Sequence, residues 1–222
     1  MTRSDLIDRR PNRYSQPQYK DATLQVKVIL QHLYFISLSV FLMIPACAFC
    51  VEPDWNVGVY GGQYYDSEPA GFTQGRLNYL DQYIIALTTS RTIWRADAFP
   101  LSLEIDGTIA HQFGLATLQE IGIVPVLRWS GFPWNEILRT SVRFGTFGPS
   151  YATSISPLER GTNGKGSQFL NFLVWELVFS LPQPKSDEVF LRLHHRSTIN
   201  DLLNNYGANG DDFFTLGYRQ YL

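Results

Sequence analysis

The sequence predicts an all-β chain: an eight-stranded antiparallel transmembrane β-barrel of the bacterial outer membrane, preceded by a signal segment. Three observations predict it. From Val51 onward no segment sustains a helical period, and eight strand-like runs follow one another between turn residues. Most of these runs are ten residues or longer. Strands of soluble domains average about 5–6 residues, whereas a tilted strand needs about 9–11 to cross a bilayer. The connections mostly alternate in length: "DSEPAGFTQGRLNYL" is long and "DAFP" short, then come a brief "LAT" and a moderate "SGFPWNE", then a long "GPSYATSISPLERGTNGKG", a short "PQPKSD" and a long "TINDLLNNYGANGD". Short turns at one end and longer loops at the other are expected of an outer-membrane barrel.

The elements follow in order. Residues 1–48 read as an N-terminal extension and signal peptide. Six basic residues (Arg3, Arg9, Arg10, Arg13, Lys20, Lys27) face three acids (Asp5, Asp8, Asp21), a net charge of +3. The apolar run "LYFISLSVFLMIPACAFC" comes next, and Ala46-Cys47-Ala48 is a small-residue cleavage site before Phe49. No Lys, Arg, Asp or Glu occurs between Val28 and Val51, which is also long enough for a membrane anchor. Pro45 and the small residues after it favour cleavage over anchoring. Residues 49–222 form the barrel. Its predicted strands are Trp55–Tyr65, Gln82–Ala96, Leu101–Gly114, Leu118–Trp129, Ile137–Phe147, Ser167–Leu181, Glu188–Ser197 and Asp212–Leu222.

Alternation assigns the faces. In the third strand Leu101, Leu103, Ile105, Ile109 and Phe113 share one side, and Ser102, Glu104, Asp106, Thr108 and Gln112 the other. The eighth repeats this with Phe214, Leu216, Tyr218 and Leu222 against Thr215, Gly217, Arg219 and Tyr221. Apolar residues outside and hydrogen-bonded polar residues inside are what a small membrane barrel needs. Pro125 predicts a bulge in the fourth strand. The sixth, "FLNFLVWELVF", is apolar on both faces around Glu176. A soluble barrel or sandwich is the competing fold. An even strand count puts both termini of the barrel in the periplasm and the long loops outside.

Composition narrows the function. The 222-residue chain carries a net charge of −2, which does not suggest a nucleic-acid partner. Beyond residue 50 there are twelve basic and seventeen acidic residues, net −5. Both cysteines, Cys47 and Cys50, lie at the signal junction, so the body has neither disulfides nor cysteine metal sites.

The seventh strand contains "LRLHHRST", Leu191–Thr198. Arg192, His194 and Arg196 take the inward parity, where Glu104, Asp106 and Glu176 are available to neutralise them. Val189, Leu191 and Leu193 take the lipid-facing parity, and His195 and Ser197 continue it to the strand end. His194 reads as a structural interior residue. His195 and Ser197 lie within reach of each other, a base beside a hydroxyl. Asp212 opens the eighth strand on the same outer face and can orient the imidazole; Asp211 points inward, and Asp201 is a weaker loop candidate. The competing reading is an interfacial His and Ser at headgroup level.

A strand ending in His-x-Ser, then a Gly/Asn-rich loop, an acid and a short last strand, resembles the lipid A 3-O-deacylase family. "FPWN" (Phe132–Asn135), "SYAT" (Ser150–Thr153) and "LHHRS" (Leu193–Ser197) look like its broader acyloxyacyl-hydrolase-like branch. The resemblance implies Ser197 as nucleophile, His195 as general base and Asp212 as the acid. It implies backbone amides near Thr198 as the oxyanion site, and no cofactor or metal. The implied function is an outer-membrane esterase that removes the 3-O-linked hydroxyacyl chain of lipid A. The implied partners are lipopolysaccharide in the outer leaflet, the barrel-assembly machinery and a second copy in a homodimer. Departures are Asp212 where the best-known members have Glu, Thr198 where they have Asn, and Leu222 where they have an aromatic residue. A catalytically inactive structural or surface-interaction barrel of the same fold is the alternative.

Overall fold

The computed structural model describes residues 55–66, 78–161, 164–198 and 210–222. The signal segment, its cleavage site, both cysteines and Asp201 lie outside the described residues. Eight strands run β1 (Trp55–Tyr65), β2 (Tyr79–Arg95), β3 (Leu101–Gly114), β4 (Leu118–Trp129), β5 (Arg139–Ala152), β6 (Phe169–Ser180), β7 (Glu188–Ser197) and β8 (Asp211–Tyr221). Each pairs antiparallel with the next, and β1 pairs with β8 from Asn56↔Tyr221 to Tyr64↔Phe213, which closes the barrel. One short 3-10 turn, Pro157–Glu159, lies in the β5–β6 connection.

The faces fall as alternation dictates. Leu87 is 63% exposed and Ile109 62%, and Ile85, Ile121, Leu191 and Leu216 are similarly bare. A wall of large apolar side chains standing clear of the molecule requires lipid around it, which removes the soluble-barrel alternative. Inside, Glu104, Asp106, Glu176 and Glu188 meet Arg128, Arg143, Arg192 and Arg219, all buried. Arg143 reaches Glu104 at 2.8 Å and Asp106 at 2.9 Å and also pairs with Glu176. Arg192 bridges Asp106 at 2.9 Å and Glu176 at 2.5 Å, and Arg219 lies 2.7 Å from Glu176. Arg128 forks onto Glu188 with both oxygens at 2.7 Å. Charges this deep persist only when each has several partners.

Four expectations change. The bulge lies in β5, not at Pro125. Pairing of β4 with β5 skips from Gly122 to Leu127, and pairing of β5 with β6 skips from Gly145 to Gly148, so β5 carries the extra residue against both neighbours. Pro125 stays in regular register with Ile105 of β3, and its missing N–H falls in the stretch that β5 leaves unpaired. Second, β5 continues through Gly148-Pro149 to Ala152, because the bulge absorbs a sequence that reads as a turn. Ile137 and Leu138 belong to the preceding turn, where both amides bond the Trp134 carbonyl. Third, β2 begins at Tyr79, three residues early, because Tyr79 regains pairing with Tyr65 across an irregularity. Fourth, the two-faced apolarity of β6 has a use. Leu170, Phe172, Val174 and Val178 point inward and fill the space above and below the charge network, with Val124 and Val126 beside them.

Candidate active site

The β7–β8 register sets His195 directly opposite Asp212, near the C-terminal end of β7 and the N-terminal end of β8. Both side chains take the outward parity, and His195 Nδ1 lies 2.6 Å from Asp212 Oδ1. Their side chains are 23% and 20% exposed, so the pair is partly shielded but reachable. With Nδ1–H donating to the carboxylate, the neutral ring carries its lone pair on Nε2. That is the tautomer a general base requires. Ser197 follows on the same face, half-buried, at the last position of β7. Among the described residues no hydrogen bond joins Ser197 to His195; such contacts are commonly long in unliganded sites and tighten around substrate.

Gly210 makes the seat for the imidazole. A Cβ at this position would fall 2.1 Å from the Arg196 carbonyl oxygen and 2.8 Å from His195 Cε1. Only glycine lets the incoming chain lie this close to β7.

His194 is structural. Tyr60 Oη lies 2.8 Å from its Nδ1 and Glu120 Oε1 3.1 Å from its Nε2, inside the barrel and fully buried. The expected neutralisation of the inward basic residues by Glu104, Asp106 and Glu176 holds for Arg192 alone. His194 and Arg196 turn to Glu120 and Glu159 instead, because they lie a rung or two higher in the barrel, beyond reach of the central acids. Asp211 pairs with Arg196 along the backbone. Among the described residues no three His, Cys, Asp or Glu side chains converge as metal ligands.

Sequence reasoning missed a groove in the outer wall. Following the pairing sideways from Ser197 gives Asn171 on β6 and Pro149 on β5. Across the bulge, Gly148 packs against Ile123, and the row continues through Gly107, Thr89 and Val57. The row above it is Phe169, Tyr151, Ile121, Ile109 and Leu87, all large and exposed. Where Gly107, Thr89 and Pro149 lie beneath this ridge the wall is indented by a cavity of about 650 Å³, lined also by Ile123, Tyr151 and Phe169 among others. The row sinks as it leaves Ser197: two residues below the strand end at Asn171, five at Ile123 and seven at Gly107. Asn171, buried, lies in register between Ser197 and Pro149 of the cavity wall. Its amide accepts from Gly148 N–H at 3.2 Å and donates to the Thr146 carbonyl at 2.8 Å, tying down the β5 bulge. No residue motif announces this; only the register brings these positions into line.

No protein-family model matches the chain, and no curated protein matches it. Solved structures do. The chain is similar to the outer membrane enzyme PagL, with TM-score 0.53 and 14% identity over 74% of this chain and 98% of that one. It is also similar to Neisserial surface protein A, with TM-score 0.41, 9% identity, and 77% and 99% of the two chains covered. The Yersinia pestis outer membrane protein Ail gives 0.38 and 10%, over 76% and 99%. Identities this low speak to fold alone. With its closed antiparallel sheet and lipid-exposed wall, the chain is an eight-stranded barrel of the bacterial outer membrane.

Proposed function

We propose that this barrel is an outer-membrane esterase that releases a 3-O-linked hydroxyacyl chain from lipid A. The observation that carries this reading is the 2.6 Å His195–Asp212 pair on the lipid-facing wall, with Ser197 beside it at the outer-leaflet end. A lone interfacial His or Ser needs no partner at headgroup level, whereas an imidazole held by a carboxylate beside a hydroxyl is the arrangement an activated serine requires.

The chemistry follows from the atoms. His195 Nε2 takes the Ser197 hydroxyl proton as Oγ attacks the ester carbonyl carbon. Asp212 stabilises the imidazolium that forms without taking its proton. The tetrahedral intermediate collapses by breaking the bond to the sugar oxygen, and the imidazolium returns the proton to that oxygen. Water, activated by the same nitrogen, then hydrolyses the acyl-serine and frees the fatty acid.

The groove supports the substrate class. From Ser197 to Gly107 the row crosses four strand spacings, about 19 Å. One leaflet of hydrocarbon is about 15 Å deep. An acyl chain lying in the groove keeps its ester at the rim and its tail in the bilayer.

The test is mass spectrometry of lipid A from membranes holding the folded parent or Ser197→Ala. The parent removes one 3-linked hydroxyacyl mass and the variant none. Full-length lipid A in both would sink the proposal. The non-catalytic barrel is the second reading, favoured by the missing Ser197–His195 hydrogen bond, and that outcome would establish it.

A further inference from the structure

The β5–β6 connection sends a carboxylate back into the barrel. Glu159, in the 3-10 turn, is fully buried, as is Ser156, whose hydroxyl caps the turn by accepting from Leu158 N–H at 3.2 Å. Glu159 Oε1 accepts from Arg196 Nη1 at 2.6 Å. The other donors of Arg196 go to the two roots of the same connection. Nε donates to Ser150 Oγ at 3.1 Å on β5, and Nη2 to the Gln168 carbonyl at 3.0 Å, just before β6. Glu120 Oε1 stands 3.6 Å from Nε and also holds His194. One inward guanidinium therefore collects the middle and both roots of an extracellular loop.

Arg196 is the residue between His195 and Ser197. They face out and it faces in, so its anchorage fixes the backbone from which both project. A fully buried ion pair is a poor device for stability, since apolar residues of similar volume serve as well or better. What such a pair supplies is a single position. The motif "SYATSISPLE", Ser150–Glu159, thereby acquires a role: it holds the strap's root, its cap and its acid.

We propose that the β5–β6 connection is a strap, and that Glu159 and Arg196 are positioning residues that hold the Ser197 end of β7 in its working place. This rests on the esterase reading of His195, Ser197 and Asp212. Loss of the anchor frees that end by a distance of the order of 1 Å, enough to lower turnover about 10²-fold.

The experiment uses the full barrel, folded in detergent micelles, as parent, Glu159→Gln, and the double variant Glu159→Leu with Arg196→Met. The double variant removes both charges and keeps the barrel foldable where the single one fails. Folding is followed by heat-modifiable gel mobility, turnover on purified lipid A, and amide hydrogen exchange across residues 195–198. Expected are a kcat about 10²-fold lower with KM within about twofold. Exchange at 195–198 rises about tenfold or more, with β3 unchanged. Folded variants with parental exchange at 195–198 overturn the strap. So do variants with parental kcat. A parent without any hydrolysis overturns the esterase reading, and the exchange measurement then decides the strap by itself.

Discussion

Gly210→Ala is the smallest change that should disable the proposed site while leaving His195, Ser197 and Asp212 themselves unsubstituted. The added methyl would stand 2.1 Å from the Arg196 carbonyl oxygen and 2.8 Å from His195 Cε1, where real Cβ atoms keep at least 3.0 Å. Relief requires the strands to part by about 0.9 Å at that rung. Taken up along the same direction, the 2.6 Å His195–Asp212 contact stretches to about 3.5 Å, past the range of a working hydrogen bond. A misplacement of about 1 Å costs on the order of 10²-fold in rate. The barrel itself should persist, because the clash falls beyond the last rung of a ladder that runs from Glu188↔Arg219 to Arg196↔Asp211. The assay is lipid A hydrolysis by heat-modifiable, folded protein, read beside the proton resonance of His195 Nδ1–H. We expect turnover down about 10²-fold and that resonance lost to solvent exchange. Parental turnover with the Nδ1–H resonance intact would refute the packing argument.

Three further outcomes are expected. Asp212→Asn keeps the shape but removes the charge that orients His195, and should lower kcat about 10³–10⁴-fold with little change in KM, measured by steady-state hydrolysis. Gly107→Leu fills the floor of the groove, where a first carbon meets only ordinary contacts with Thr89. It should raise KM for long acyl chains and spare short ones, as a chain-length series would show. Glu176→Gln removes the carboxylate shared by Arg143, Arg192 and Arg219 and leaves buried guanidinium groups short of charge. It should destabilise the barrel by about 3–5 kcal/mol in urea unfolding followed by tryptophan fluorescence. A loss below about 1 kcal/mol would mean the network has partners to spare.

Much of the barrel was legible because strand alternation has a period of two and membrane crossing demands length. Leu101–Gly114 and Glu188–Ser197 have the predicted ends and faces. His195 and Asp212 on one outer face were legible for the same reason, since parity continues along a strand and the last hairpin brings neighbours together. The β5 bulge was not legible. Gly145–Gly148 has the composition of a turn, and only its neighbours' register shows that the chain runs on.

The sequence by itself determined the strand count, the inside and outside of the strands that alternate cleanly, the bilayer setting and the shared outward parity of His195, Ser197 and Asp212. These are properties of local periodicity, which each segment carries alone. Tertiary structure decided which acid meets which arginine, why residue 210 must be glycine, where the groove runs, and that Glu159 of a distant loop holds Arg196. Those depend on barrel closure and on the stagger between strands, which join residues that no local pattern relates.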